Sequence, residues 1–151
     1  MYHKLIFAIL IFFITTDCAK KELVEESKKV DPYQLYEEGF SAFSAGDYFF
    51  ANKKFSEAEL NFDIVEFAAK SAIMSSYSLY GINFYREALD NLERFLKKYP
   101  ADKNTMYAHY LIAIIYYEQI SDEKKDLEPL LQASKKIDFF LDKYPDTDYA
   151  L

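Results

Sequence analysis

The chain has 151 residues, enough for one domain with a substantial core, and its few glycines (3) and prolines (4) favour long helices over a turn-rich sheet. A formal net charge of −7 without a cluster of Lys and Arg argues against a surface that binds nucleic acid. Cys18 is the single cysteine, which excludes an internal disulfide, and two histidines give little basis for a metal site, so we predict no metal and no cofactor.

The first 17 residues predict a secretory signal peptide, because the apolar run Leu5–Ile14 is shorter than the roughly 20 residues of a membrane-spanning helix. Cys18 follows it and resembles the lipid-attachment cysteine of bacterial lipoproteins, which implies acylation with palmitate and related chains. Ala19 then implies attachment to the outer membrane. Since Asp17 departs from the small residue usual at that position, an incidental cysteine after an uncleaved anchor is the alternative.

Residues 18–30 predict a flexible tether, and residues 31–151 predict a helical domain. The tether is mixed in charge and poor in aromatic residues, so it can bury little surface. Beyond it, apolar residues recur with helical period and short turns interrupt them at regular intervals. We predict helices at residues 32–45, 48–64, 67–80, 84–99, 104–118 and 127–143.

The predicted helices pair into repeats. Residues 47–55 align with residues 84–92 at an offset of 37 (Ala88 minus Ala51), and the segment 95–100 recurs as 140–145 at an offset of 45 (Phe140 minus Phe95). We therefore predict three antiparallel hairpins, at residues 32–65, 67–100 and 103–145, and the start of a further helix at 146–151.

Turn residues support these boundaries. Gly46 can adopt the left-handed conformation that follows a helix, and Asp47 can cap the helix that comes next. Residues 81–83 are expected to form the turn of the second hairpin. Pro100 and Pro145 are expected to end the outer helices.

Small residues mark the predicted contact between the two helices of each hairpin, because closely crossing helices need side chains of little volume there. They are Gly39, Ser76 and Ala113 on the inner helices and Ala51, Ala88 and Ala133 on the outer helices. With the surrounding aromatics and the closing prolines, they resemble the tetratricopeptide pattern. The resemblance implies an all-α fold, a tetratricopeptide-like α-solenoid of about three hairpins. Ala51→Leu should disrupt the first hairpin.

The third hairpin carries a more specific pattern, since residues 121–129 are inserted between its helices. This insertion and the segment 144–150 resemble the BamD-type lipoproteins of the outer-membrane β-barrel assembly machinery, over residues 32–151. The resemblance implies a lipid-anchored scaffold at the periplasmic face of the outer membrane. It also implies, as partners, unfolded outer-membrane proteins, a BamA-type barrel protein and other subunits of the machinery. Members of that family are longer, which implies a C-terminal truncation here.

Aligned to the repeat, the inner-helix positions that face a concave groove form an aromatic stripe. The four equivalent positions are Tyr33, Tyr36, Phe40 and Phe43 in the first hairpin, Lys70, Ile73, Tyr77 and Tyr80 in the second, and Tyr107, Tyr110, Ile114 and Tyr117 in the third. Of these, Lys70 and Ile114 are not counted among the predicted contacts. Rigid aromatic surfaces can bury the apolar side chains of an extended peptide at low entropic cost. We predict a peptide-binding groove, with Tyr36 and Tyr77 as the main contacts. Alternatively, these aromatics only pack neighbouring hairpins together.

The sequence predicts a binding protein and not an enzyme. Carboxylates such as Glu57, Glu59 and Glu87 are expected on solvated outer faces, His109 has no partner at a motif spacing, and no Gly-rich phosphate loop occurs. Two alternatives to the assembly factor remain. One is another tetratricopeptide lipoprotein, pilotin-like or a cell-envelope scaffold, and the other is a helical domain of a cell-wall enzyme.

Overall fold

The computed structural model of the protein describes residues 30–120 and 127–150, and every regular element in these ranges is an α-helix. The predicted signal peptide, Cys18, residues 18–29 of the predicted tether and residues 121–126 of the predicted insertion lie outside the described residues. The helices are α1 (Pro32–Ser44), α2 (Tyr48–Asn61), α3 (Val65–Gly81), α4 (Tyr85–Lys98), α5 (Thr105–Glu118) and α6 (Glu128–Lys143). The all-α solenoid expectation is confirmed.

The first hairpin begins and turns as predicted. A carboxylate oxygen of Asp31 accepts the backbone N–H of Tyr33 at 2.9 Å, and Pro32 occupies the first turn of α1, where its missing N–H costs no hydrogen bond. Gly46 has φ +80°, and the Asp47 carboxylate accepts a backbone N–H at the start of α2. These local contacts fix the reversal between α1 and α2.

The second turn falls at the predicted residues, between the end of α3 at Gly81 and the start of α4 at Tyr85. The left-handed residue is Asn83 (φ 60°), whereas Gly81 is the last residue of α3. A Cβ atom on Gly81 would lie 3.0 Å from Cδ2 of Tyr48, so glycine there leaves room for the tyrosine ring and does not serve a left-handed φ angle. No side-chain hydrogen bond caps α4.

The second helix, α2, ends at Asn61, a little before the predicted end near residue 64. The backbone of Phe62, directly after the helix, is extended (φ −75°, ψ 124°). The ring lies edge-on to Tyr33 at 5.0 Å and stacks with Phe67 at 5.4 Å between centroids. These aromatic contacts hold the connection between α2 and α3 against the start of α1. Residues 145–149 form turns, and the further helix at 146–151 stays a prediction.

Each helix packs against the next one along the chain, and α3 also contacts α5. The six small residues predicted at the hairpin contacts are all buried. The closest approach is at Gly39, where a Cβ atom would lie 2.9 Å from Cδ1 of the fully buried Phe55. The prediction that small side chains permit the helices to cross is therefore confirmed.

A buried hydroxyl joins three helices. The Ser75 hydroxyl on α3 accepts hydrogen bonds from Asn52 Nδ2 of α2 at 2.8 Å and Asn91 Nδ2 of α4 at 3.3 Å, and it lies 3.0 Å from the hydroxyl of Ser56. Buried polar groups are costly unless they are paired. This cluster therefore favours one register of α2 and α4 on α3.

Glu59 is buried and not solvated, which makes that part of the carboxylate prediction wrong. Its carboxylate accepts two hydrogen bonds from Arg94, at 2.6 and 2.8 Å, and others from Lys98 at 3.0 Å and the Tyr99 hydroxyl at 2.9 Å. Burial alone would raise the pKa of Glu59, but these hydrogen bonds outweigh it and hold the pKa below its ordinary value. The cluster ties the end of α2 to the end of α4, across the boundary between the first two hairpins.

Candidate functional site: an aromatic path across three hairpins

The first helices of the three hairpins are linked by their aromatic rings. Phe43 of α1 lies 5.5 Å from Tyr77 of α3, and Tyr77 lies 6.1 Å from Tyr107 of α5, between ring centroids. Tyr80 stacks on Tyr77 at 5.8 Å, and Tyr110 lies 6.1 Å from Tyr107. We call these five residues the aromatic path.

The aromatic path is partly accessible to solvent. The side chain of Tyr77, at its centre, is 36% exposed, whereas Phe43, Tyr80, Tyr107 and Tyr110 are half-buried. Burial raises the pKa of Tyr107, as do the neighbouring tyrosines, so its hydroxyl remains protonated and can donate. The arrangement presents apolar ring surface together with hydroxyl donors.

A carboxylate that the sequence did not indicate lies beside the centre of the aromatic path, next to Tyr80. The Tyr80 hydroxyl donates to Oε1 of Glu118, the last residue of α5, at 2.7 Å. The Tyr85 hydroxyl lies 3.0 Å from both Glu118 Oε2 and Asn83 Oδ1, so its hydrogen is shared between two acceptors. Burial and Glu118 both raise the pKa of Tyr80. The Tyr80 hydroxyl is therefore already engaged within the protein.

The Tyr110 end of the aromatic path meets α6, the second helix of the third hairpin. Tyr110 lies 5.8 Å from Phe140 of α6 and 4.6 Å from Tyr149, which follows α6. These rings line an apolar cavity of about 280 Å³ whose further walls include Ile114 and the exposed Tyr117. Tyr149 lies in a turn, where helical periodicity could not have placed it.

The predicted residues of the first hairpin fall partly outside the aromatic path. Tyr33 contacts Phe62 and Phe67 instead, at 5.0 and 5.3 Å. Tyr36 lies 5.3 Å from the core residue Phe55, with Lys70 Nζ 4.9 Å from the centre of its ring. Phe40 is exposed. Tyr36, one of the two residues predicted as main contacts, is thus held against the core of its own hairpin.

Ile73 does not line an accessible surface, and its assignment to the groove is wrong. Only 6% of the residue is exposed, and it belongs to the main core with Ala69, Ala72 and Ile112. The reason is the position of α3, which packs against α2, α4 and α5 together. A helix with neighbours on three sides keeps fewer positions open than a helix at the edge.

The described residues offer a binding surface and no cluster of reactive groups. Within residues 30–120 and 127–150, no three or more His, Cys, Asp and Glu side chains are grouped so as to hold a metal ion. His109 packs 4.9 Å from the ring of Phe139, and its pKa is lowered by burial and then by Lys143 and Lys136. Its ring is therefore a packed, mostly neutral group. No helix in the same ranges is long and apolar enough to cross a bilayer.

Comparisons with known proteins give a consistent result. The family model described as YfiO, outer membrane lipoprotein, matches residues 28–151. The chain is 34% identical over 147 residues to the outer membrane protein assembly factor BamD of Caulobacter vibrioides, covering 95% of this chain and 48% of the relative. It is 28% identical over 148 residues to BamD of Rickettsia prowazekii, covering 98% of this chain and 59% of the relative. It is 20% identical over 158 residues to BamD of Xylella fastidiosa, covering 98% of this chain and 54% of the relative. The chain thus spans about half the length of the curated relatives it matches.

Proposed function

Because this chain belongs to the YfiO family of outer membrane lipoproteins, we propose that it forms part of an outer-membrane protein assembly factor and acts by binding, without catalysis. Its clients are unfolded segments of outer-membrane proteins. The observation that carries the proposal is the aromatic path, which crosses three hairpins without a break between neighbouring rings.

The spacing of the rings suits an extended client. Side chains on one face of an extended chain recur about every 6.6 Å, or two residues. The neighbouring rings Phe43, Tyr77 and Tyr107 lie 5.5 and 6.1 Å apart, so successive apolar side chains of a client can each meet a ring. The rings are already fixed by contact with one another, which lowers the entropic cost of binding. The strands of β-barrel proteins carry such alternating apolar side chains.

The rest of the proposal concerns attachment and partners. Cleavage before Cys18 and its acylation anchor the protein at the periplasmic face of the outer membrane, and residues 18–30 act as the tether. A BamA-type barrel protein and other subunits of the assembly machinery are the protein partners, and nucleic acid is not one.

Tyr77→Ala tests the groove. Removing the central ring should weaken the binding of a labelled peptide that copies the C-terminal segment of an outer-membrane β-barrel, by about tenfold in fluorescence anisotropy, since a desolvated aromatic contact is worth about 1–1.5 kcal/mol. The control is Phe49→Ala, which removes a ring that is exposed on α2 and outside the aromatic path. Circular dichroism establishes that both variants fold. Equal affinities for the wild type and Tyr77→Ala would refute the groove.

Attachment and partnership have separate tests. Mass spectrometry of the membrane fraction should find an acylated N-terminal cysteine, and Cys18→Ser should release the protein into the soluble fraction. Copurification with a BamA-type barrel distinguishes an assembly factor from a pilotin-like or other envelope scaffold, which would not retain that barrel.

A further inference from the structure

We propose that Glu118 receives a positively charged group, Lys or Arg, of the polypeptide segment that occupies the aromatic path. This inference rests on the proposed function and deepens it, because it names a feature of the client. The occupant is an extended segment in which a basic side chain lies beside an aromatic or aliphatic one.

Glu118 lies beside the ring positions that a client would use. Its Oε1 atom accepts the hydroxyl of Tyr80 at 2.7 Å, and the ring of Tyr80 is stacked with Tyr77 at an angle of 16°. The exposed Tyr117 precedes it on α5. A client side chain seated on Tyr77 would therefore have a neighbour within reach of this carboxylate.

The charge of Glu118 has no cationic partner among residues 30–120 and 127–150. The ion pairs formed there involve Glu38, Glu57, Glu59, Glu66 and Glu87. The two tyrosine hydroxyls donate hydrogen bonds, but they are neutral and leave the negative charge in place. A carboxylate has about four lone-pair sites, so it can accept further donors from a ligand.

The fold adds to the negative potential at this point. Glu118 is the last residue of α5, and the C-terminal end of a helix carries a partial negative charge from its unpaired carbonyl groups. Both charges favour a cation in the same place. The hydroxyls of Tyr80 and Tyr85 also hold the carboxylate in one orientation, so less side-chain freedom is lost when a ligand binds.

A structural role alone is the competing explanation, because the hydrogen bonds of Glu118 connect α5 to α3 and to the start of α4. Such a brace would affect every ligand equally. A preference for a charged ligand over a neutral ligand of the same shape depends on the carboxylate itself. The test therefore compares two peptides that differ only in charge.

The probes are two labelled peptides of alternating apolar residues, identical except that one has arginine and the other citrulline beside the central phenylalanine. The full chain should bind the arginine peptide about fivefold more tightly, which is the effect on affinity expected of one charge pair that is exposed or partly desolvated. Glu118→Gln should abolish this preference, and Glu118→Asp should retain part of it. Glu93→Gln removes an exposed charge of α4 outside the aromatic path and should leave the preference unchanged, which controls for net charge.

The outcomes separate the two proposals. Loss of the arginine preference in Glu118→Gln alone supports the inference. Equal binding of both peptides by the wild type, or a preference that survives Glu118→Gln, overturns the inference and leaves the groove intact. If neither peptide binds the wild type, the groove is refuted and the role of Glu118 is refuted with it.

Discussion

Replacing Glu59 with Gln should destabilise the fold more than the loss of any other charged side chain where the first two hairpins meet. Glu59→Gln keeps the size of the side chain but removes the charge that Arg94 and Lys98 share. The new amide group also places N–H donors against the guanidinium of Arg94, where the carboxylate had offered only acceptors. The junction between α2 and α4 then contains two cations without a counter-charge.

The size of the effect follows from exposure. Only 3% of the Glu59 side chain is exposed, but the side chains of Arg94 and Lys98 are 43% and 49% exposed. Breaking a fully buried pair costs about 3–5 kcal/mol, because an unpaired charge is left without water. Here the two cations can hydrate in part, so we expect the free energy of unfolding to fall by about 2–3 kcal/mol.

Urea unfolding, followed by circular dichroism, measures this loss. With a typical urea dependence of about 1–3 kcal/mol/M, the midpoint should fall by about 1 M or more. The matched control is Glu66→Gln, which breaks the exposed pair between Glu66 and Lys103 and should leave the midpoint unchanged. A midpoint for Glu59→Gln equal to that of the control would show that packing alone joins the hairpins.

Three further results are expected. The pKa of Glu59 is lowered from 4.5 in the folded protein, so the stability that its charge contributes is complete above pH 4.5 and is lost as the pH falls through the folded pKa. The urea midpoints of the wild type and Glu59→Gln should therefore differ at pH 7 and become equal at acid pH. Gly39→Ala meets the fully buried Phe55 and should lower the melting temperature, whereas Gly81→Ala meets a half-buried tyrosine that can shift and should be nearly neutral; the reverse order would contradict the packing argument. Ala51→Leu overfills a site with no exposed surface and should cost about 1–3 kcal/mol in urea unfolding, so an unchanged midpoint would place Ala51 outside the helix contact.

The sequence was sufficient for the helices and their pairing because those features depend on local chemistry. Gly46 and Asp47 specify the first turn within two residues, and the small residues recur at fixed positions of each hairpin. Such signals do not require knowledge of distant neighbours. Within residues 30–120 and 127–143 they predict the order of the six helices correctly, and they miss ends such as that of α2, where a phenylalanine follows the helix and joins an aromatic cluster.

Burial at equivalent repeat positions could not be predicted in this way. Tyr36, Ile73 and Tyr110 occupy the same position of the three inner helices, yet Ile73 is buried and both tyrosines are half-buried. The difference lies in what each residue meets: Ile73 packs into the main core with Ala69, Ala72 and Ile112, whereas Tyr36 and Tyr110 pack on other aromatic rings. Glu59 and Glu118 were missed for a related reason, since their partners lie 33 to 40 residues away in sequence.

The pattern of contacts between successive helices has a consequence for how the chain folds. Since helices meet mainly their sequence neighbours, most native contacts close short loops, and proteins of such low contact order fold quickly. The stack can also open in parts, because losing one interface leaves the others intact. We expect amide hydrogen exchange to be slowest along α3, which has more buried residues than any other described helix, and faster in α1 and α6. The centre of the stack would thereby stay folded while the helices at its two ends open and close.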